Sequence, residues 1–307
     1  MSGQAFESLS EEARQFVAQM PKGAQSVQAR AVRAATDGSG AALARVRASR
    51  DIEKPLAAGV TRRYVRPDLC LYLPESGRAE RTLLYFHGGC WVFGSINSCS
   101  EFCMAVAKEG VAVLAYNYPL APENRPSAVV AGCCEAFAWA RAHAGEWGGR
   151  ADRVSVGGDS AGGNLSLALA LTGGPQPAAL FLYYPVTKAW ADGSASWRRY
   201  GVGFGLDADL MAAGNEAYAG IDVHNPLVSP ACATDAALAK LPPCHFLAAG
   251  CDILLDQGLE FHRRLQRLGV KTTHETVAGA VHLFVTVKGQ PQAFAKAVAL
   301  AVRPPVD

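Results

Sequence analysis

Val154-Ser155-Val156-Gly157-Gly158-Asp159-Ser160-Ala161-Gly162-Gly163-Asn164 decides how this chain folds. A β-branched run gives way to glycines around one serine, and an apolar run over residues 165–171 follows. That order reads as strand, sharp turn, helix. Gly158-Asp159-Ser160-Ala161-Gly162 fits G-x-S-x-G, a nucleophile elbow whose flanking glycines let two chain segments pass closely and hold the serine at a strained corner. A helix that starts at the elbow directs free N–H groups and a positive dipole end toward any anion forming beside the serine. The plainer reading is a helix-capping serine. The strand before and the helix after favour acyl-transfer chemistry.

Outward from the elbow, strands alternate with helices. Strand-like runs fall at 60–65, 69–73, 82–86, 111–116, 154–156, 180–184, 245–249 and 272–277. Helical runs fall near 99–108, 129–144, 165–171, 257–268 and 290–302. The first two strands, split by Arg66-Pro67-Asp68, predict an antiparallel start. The remainder predicts buried parallel strands in an α/β fold, with ligands gathering outside their carboxyl ends. Ahead of any strand, Ser8-Leu9-Ser10-Glu11 has capping-box spacing, and Ala13, Phe16, Val17 and Met20 recur at helical period. Helical stretches at 26–35 and 41–48 complete an arm over residues 1–50. Residues 51–307 are expected to form the catalytic domain. Within it, 187–223 breaks the rhythm with glycines and aromatics and one helical segment near 207–218, as an insertion over the sheet does.

Half of the 307 residues are hydrophobic, 18% are charged and the net charge is +2. Such a chain buries a large core, and its scattered arginines suggest neither a nucleic-acid nor an anionic-membrane partner. No apolar run reaches the ~18–20 residues of a membrane span, and residues 1–7 lack the basic and apolar parts of a signal peptide, so the expected location is cytoplasmic. Nine irregularly placed cysteines, Cys133 and Cys134 adjacent, suit buried thiols rather than a disulfide framework. Cys99 and Cys103 share a helical face, but no second ligand pair at zinc-like spacing accompanies them, and no metal is expected.

A serine hydroxyl needs a base. His282, in Gly279-Ala280-Val281-His282-Leu283-Phe284, follows the last strand at the sheet's carboxyl edge, whereas His245 and His274 fall in strands, His143 and His262 on helices and His224 at the insertion's exit. A carboxylate must hold the imidazole in one tautomer. Asp252 follows the apolar run 246–249 at another strand end; its competitor, Asp256, reads as the start of the next helix. The oxyanion donors are expected in Phe86-His87-Gly88-Gly89-Cys90-Trp91, directly after a strand.

With these residues in place, the sequence resembles the hormone-sensitive-lipase-like branch of the α/β-hydrolases, the bacterial family IV carboxylesterases. The resemblance rests on His87-Gly88-Gly89-Cys90, Tyr118-Pro119-Leu120-Ala121-Pro122-Glu123, Gly158-Asp159-Ser160-Ala161-Gly162-Gly163, Asp252-Ile253-Leu254-Leu255-Asp256 and His282, and runs from about residue 60 onward. It implies a triad of Ser160, Asp252 and His282, and an oxyanion hole from the N–H groups of Gly89, Cys90 and Ala161. It also implies a cap built from the N-terminal helices and the 187–223 insertion, a small ester with short-to-medium acyl groups as substrate, and no cofactor. Three positions depart from the family pattern. Cys90 replaces a third glycine and brings a Cβ toward the acyl path, Gln257 stands where Glu is frequent, and Leu283 replaces a glycine after the histidine. His87-Gly88-Gly89-x-Trp91 also occurs in kynurenine formamidases, so an arylformamidase is an alternative, as are a deacetylase and a non-hydrolytic, eliminating or cyclising member of the same fold; the non-enzymatic alternative is a catalytically silent ligand receptor, since some relatives keep the pocket and lose a triad member. Trp91, Phe93, Trp190, Phe204 and Leu206 are the expected pocket residues. The sequence leaves a homodimer open.

Overall fold

The computed structural model describes residues 7–304. Eight strands form one sheet in the order β1-β2-β4-β3-β5-β6-β7-β8. They are β1 Val60–Arg66, β2 Leu69–Pro74, β3 Arg81–Phe86, β4 Val111–Tyr116, β5 Val154–Asp159, β6 Leu180–Tyr183, β7 Cys244–Cys251 and β8 Thr272–Val281. The β1–β2 and β2–β4 pairings are antiparallel, and every later pairing is parallel. Alternation along the strands sorts the core into two layers. Leu84, Phe86, Leu114, Val154 and Val156 face one, while Leu83, Tyr85, Val113 and Ala115 face the other. A sheet buried on both faces needs apolar residues at both parities, and β4 is buried at all six positions.

Five helices cover those faces. α4 (Ile96–Lys108) and α11 (Pro291–Ala301) lie on the Tyr85 side, where Phe102 meets Tyr85 and Tyr183 at ring separations of 4.9 and 5.3 Å. α5 (Pro126–His143) and α6 (Ala161–Leu171) contribute to the opposite layer, with α10 (Leu255–Arg267) beside them. Cys99 and Cys103, one turn apart on α4, sit with sulfurs 3.8 Å apart inside the core. All nine cysteines are free. Among the described residues, no three His, Cys, Asp or Glu side chains gather as a metal would require, and no helix is long and apolar enough to cross a membrane.

Three helices precede the sheet: α1 Glu11–Gln19, α2 Ala24–Thr36 and α3 Ala41–Arg50. Ser10, not the Ser8 that the Ser8-to-Glu11 capping-box spacing points to, caps α1 by accepting from the Ala13 N–H at 3.2 Å, so the helix begins two residues later than that spacing implies. The insertion carries α8 (Ala208–Ala219) and a five-residue α7 (Ala195–Arg199), too short to show a period in the sequence. Gln25 of α2 bridges to it, donating to the Gly205 carbonyl at 3.0 Å and accepting from the Asp207 N–H at 2.8 Å. Arg33 adds ion pairs to Asp209 and Glu216 of α8. α1 grips the far end of the sheet: the Ser10 N–H donates to the Gly279 carbonyl at 3.0 Å, and the Glu12 carboxylate accepts from the first N–H groups of α11 at Gln292 and Ala293.

The last two strands run longer than their apolar cores suggest. β8 continues through Ala278-Gly279-Ala280 to Val281, past a register shift opposite Ala249 and Cys251, and Cys251 pairs with Val281. Asp252 and His282 therefore leave neighbouring parallel strands side by side.

Candidate active site

The elbow forms as the glycines require. Ser160 adopts φ +55°, ψ −115°, a region that costs a non-glycine residue roughly 1–3 kcal/mol. Its N–H donates to the Tyr183 carbonyl at 2.9 Å, and its own carbonyl accepts from Asn164 and Val186. The Ser160 side chain makes no capping bond to α6, so its hydroxyl is not spent on the helix it precedes. A Cβ on Gly162 would lie 1.9 Å from the Phe86 carbonyl oxygen, and one on Gly158 would lie 2.5 Å from backbone carbon of Gly162. Gly162→Ala is therefore expected to cost more than about 4 kcal/mol, read as loss of soluble, cooperatively unfolding protein; a variant melting within a few degrees of wild type would contradict the tight crossing.

His282 Nδ1 and Asp252 Oδ2 lie 2.6 Å apart, with both side chains almost fully buried. Asp252 Oδ1 accepts from the Leu254 N–H at 3.0 Å. Because a carboxylate only accepts, the proton on that side sits on Nδ1 and the lone pair is left on Nε2, the form a general base needs. Two residues with no sequence signature hold the imidazole and the backbone that carries it. The Tyr184 ring packs on it with centroids 4.3 Å apart and accepts from the Val285 N–H through its hydroxyl. Gln290, buried, accepts from the Val281 N–H at 2.9 Å and donates to the Val281 carbonyl at 3.2 Å. Leu283 takes φ +78°, so the backbone after the histidine is left-handed although the residue is not glycine. The Asp256 carboxylate turns instead to the Ser196 N–H at 2.8 Å, tying α7 to the first turn of α10. Gln257 accepts from the Thr187 and Lys188 N–H groups, pinning the start of the insertion.

The loop after β3 turns through three left-handed residues, Gly89 (φ +127°), Cys90 (+52°) and Trp91 (+60°). Gly89 is required there, since its Cβ would meet the Phe93 carbonyl at 2.3 Å. The Tyr118-to-Glu123 segment braces this loop. Tyr118 donates to the His87 carbonyl at 2.9 Å and stacks on the His87 ring, and the Ala121 N–H donates to the Trp91 carbonyl. Arg47 of α3 donates to the Val92 and Ala121 carbonyls while paired with Glu123. Burial lowers His87 to about 4, so it is a neutral ring whose Nδ1–H donates to the Gly88 carbonyl.

Asp159 links the loop to the elbow. Its Oδ1 accepts from the Gly88 N–H and the Tyr85 hydroxyl, both at 2.9 Å. Burial raises this carboxyl to about 6, against the pull of the Tyr85 hydrogen bond, His282 and the Gly88 N–H. The folded protein thus holds the proton more tightly than the unfolded chain between about pH 4 and 6. Stability from this group accordingly falls as pH rises through that window, by about 3 kcal/mol in all. Asp159→Asn keeps an acceptor for both donors and removes the ionisation. Urea melts at pH 4, 5 and 6 are expected to show the variant gaining on wild type at each step; parallel curves would refute the assignment.

The five expected pocket residues separate. Trp91 is fully buried, stacked on Tyr218 at 4.5 Å and donating to Asn164 Oδ1 at 3.2 Å. Phe93 is buried under the Arg50 guanidinium, Phe204 packs edge-on against Tyr200, and Leu206 is core. Trp190 lies elsewhere, lining a cleft of about 270 Å³ with Lys188, His224, Glu260 and Arg264, to which no member of the Ser160, Asp252 and His282 set contributes. The Cys90 Cβ faces Gly214 of α8, and its sulfur lies 3.9 Å from that of Met211; burial pushes the thiol up to about 12.

A strand-elbow-helix serine, an Asp–His pair at adjoining strand ends and a glycine loop on an eight-stranded, mostly parallel sheet define an α/β hydrolase. A family profile described as alpha/beta hydrolase fold matches residues 83–286. The chain belongs to the hormone-sensitive-lipase-like branch of that family. It is 33% identical over 229 residues to the carboxylic ester hydrolase LipN of Mycobacterium tuberculosis, covering 70% of this chain and 60% of LipN. It is 35% identical over 221 residues to an arylesterase of Saccharolobus solfataricus, covering 70% and 72%. The match to lipase 2 of a Moraxella species covers only 55% of that protein. Among solved structures, carboxyl esterase 2 of Tuber melanosporum superposes with a TM-score of 0.75 at 29% identity, covering 82% of this chain and 87% of that one.

Proposed function

We infer that the protein is a serine carboxylesterase hydrolysing esters with short-to-medium acyl groups through a covalent acyl-enzyme. The observation that carries the reading is the 2.6 Å contact between the buried His282 and Asp252 at the rim that also holds the strained Ser160. In this mechanism the Ser160 Oγ attacks the ester carbonyl carbon as its proton passes to His282 Nε2. The N–H groups of Gly89, Cys90 and Ala161 hold the oxyanion, each worth roughly 10²-fold or more. The tetrahedral intermediate expels the alcohol, which takes the proton from His282. Water then attacks the acyl carbon with His282 as base again, releasing the carboxylic acid and restoring Ser160. The N-terminal helices and the 187–223 insertion, bridged by Gln25 and Arg33, would act together as a cap.

Two measurements test this. A p-nitrophenyl acyl series from acetate to dodecanoate is expected to show turnover that peaks at short-to-medium chains, and a fluorophosphonate probe is expected to leave one adduct on the Ser160 peptide. No turnover of any ester, or an adduct on another residue, would sink the reading.

A further inference from the structure

α8 brings polar atoms without partners to the oxyanion loop. Met211, Gly214, Asn215 and Tyr218 recur at i, i+3, i+4 and i+7 and so share one face of the helix. Three of the four touch the loop. Met211 meets the Cys90 sulfur, Gly214 meets the Cys90 Cβ and carbonyl, and Tyr218 stacks on Trp91. Gly214 permits that approach, since a Cβ there would lie 2.6 Å from the Cβ of Cys90. Asn215, between Gly214 and Tyr218 on this face, is 5% exposed, and neither its amide oxygen nor its amide nitrogen has a hydrogen-bond partner. Among the described residues it is the one side chain with both polar ends buried and unpaired. Tyr218 is 3% exposed, and its buried hydroxyl is unpaired as well.

Buried polar groups are nearly always satisfied, and an exception beside a site of chemistry leaves a place that a substrate group can fill. Such a group must answer a donor and an acceptor on Asn215 and a hydroxyl one helical turn away. A plain alkyl chain answers none of them. A site built to hydrogen-bond a substrate group discriminates against the analogue that lacks it far better than an apolar pocket discriminates by size.

We propose that Asn215 and Tyr218 form a polar subsite beside Cys90 that selects esters whose acyl chain carries a hydrogen-bonding group, such as a hydroxyl or amide, a few atoms from the carbonyl. The proposal rests on the esterase reading above and adds the substrate class. Asn215 and Tyr218 are specificity residues in it, with no role in moving protons.

The test compares two isosteric esters, p-nitrophenyl 3-hydroxybutyrate (both enantiomers) and p-nitrophenyl isovalerate, on wild type, Asn215→Leu and Tyr218→Phe. The hydroxy-to-methyl ratio of kcat/KM, compared across variants, cancels intrinsic ester reactivity. Asn215→Leu is expected to lower that ratio at least about tenfold, the value of one lost hydrogen bond, and Tyr218→Phe to lower it less but in the same direction. Because Leu removes two unpaired buried atoms at similar volume, the variant's melting temperature is expected to match or exceed wild type. An unchanged ratio in both variants, with wild type hydrolysing both esters, overturns the subsite and leaves the esterase reading standing. A melting temperature lowered by several degrees in Asn215→Leu overturns it also, by giving the amide a structural partner. Failure of wild type to hydrolyse either ester removes the esterase reading and this proposal with it.

Discussion

Ser160→Ala is expected to lower kcat on p-nitrophenyl acetate by about 10⁵–10⁶-fold while leaving the melting temperature within a few degrees of wild type. Both halves come from the same geometry. On the proposed mechanism, the substitution leaves only the oxyanion donors and substrate binding, which supply a small part of the acceleration. The fold loses little because the serine side chain makes no capping bond to α6, and alanine meets the same backbone strain at φ +55°. Stopped assays on purified variant and wild type, with a melt on each, check the two halves separately. A residual rate within a hundredfold of wild type would move the nucleophile elsewhere.

Asp252→Asn is expected to cost about 10⁴-fold in kcat with the fold intact. The size follows from how the carboxylate is shared. Its Oδ1 already accepts from the Leu254 N–H at 3.0 Å, so the one remaining oxygen of asparagine is drawn to that donor. The amide NH₂ is then left facing His282 Nδ1, where the carboxylate oxygen stood at 2.6 Å. An NH₂ group donates, which forces Nδ1 to accept and shifts the imidazole proton to Nε2. That tautomer cannot take the serine proton. A variant retaining more than about a tenth of wild-type turnover would show that His282 finds its base form without this carboxylate.

Much of this site is written in local sequence because close backbone crossings admit only glycine. Gly158 and Gly162 mark the elbow since any side chain there collides with carbonyl groups, and Gly89 marks the loop for the same reason. Asp252 and His282 were legible as residues just past apolar strand runs. Their exact alignment was not, because β8 reaches Val281 through Ala278-Gly279-Ala280, a stretch without strand propensity that bulges out of register, with Gly279 at φ +70°, between the Ala249–Val277 and Cys251–Val281 pairs. Tyr184, Gln290 and Asp159 escaped notice because what they do depends on contacts across the fold: a ring on an imidazole, an amide across a strand end, a carboxylate under a loop. Residue type alone does not say where an aromatic ring comes to rest. Trp190 and Trp91 look alike in sequence, yet one lines a cleft apart from the Asp–His pair and the other is stacked beneath α8. Asn215 carries no local signal, because both ends of its amide are unpaired only once α8 is packed into the fold.

The opening helix α1 clasps the segment that carries His282 from both sides, through Ser10 at Gly279 and Glu12 at the start of α11, while residues 51–57 behind α3 run without regular structure and expose Ile52 and Leu56. A single cut by a protease in that exposed stretch would separate the clasp from the sheet covalently but leave it bound by contact. The nicked protein would then behave as a two-piece enzyme, its specific activity falling on dilution and returning when the N-terminal fragment is added back.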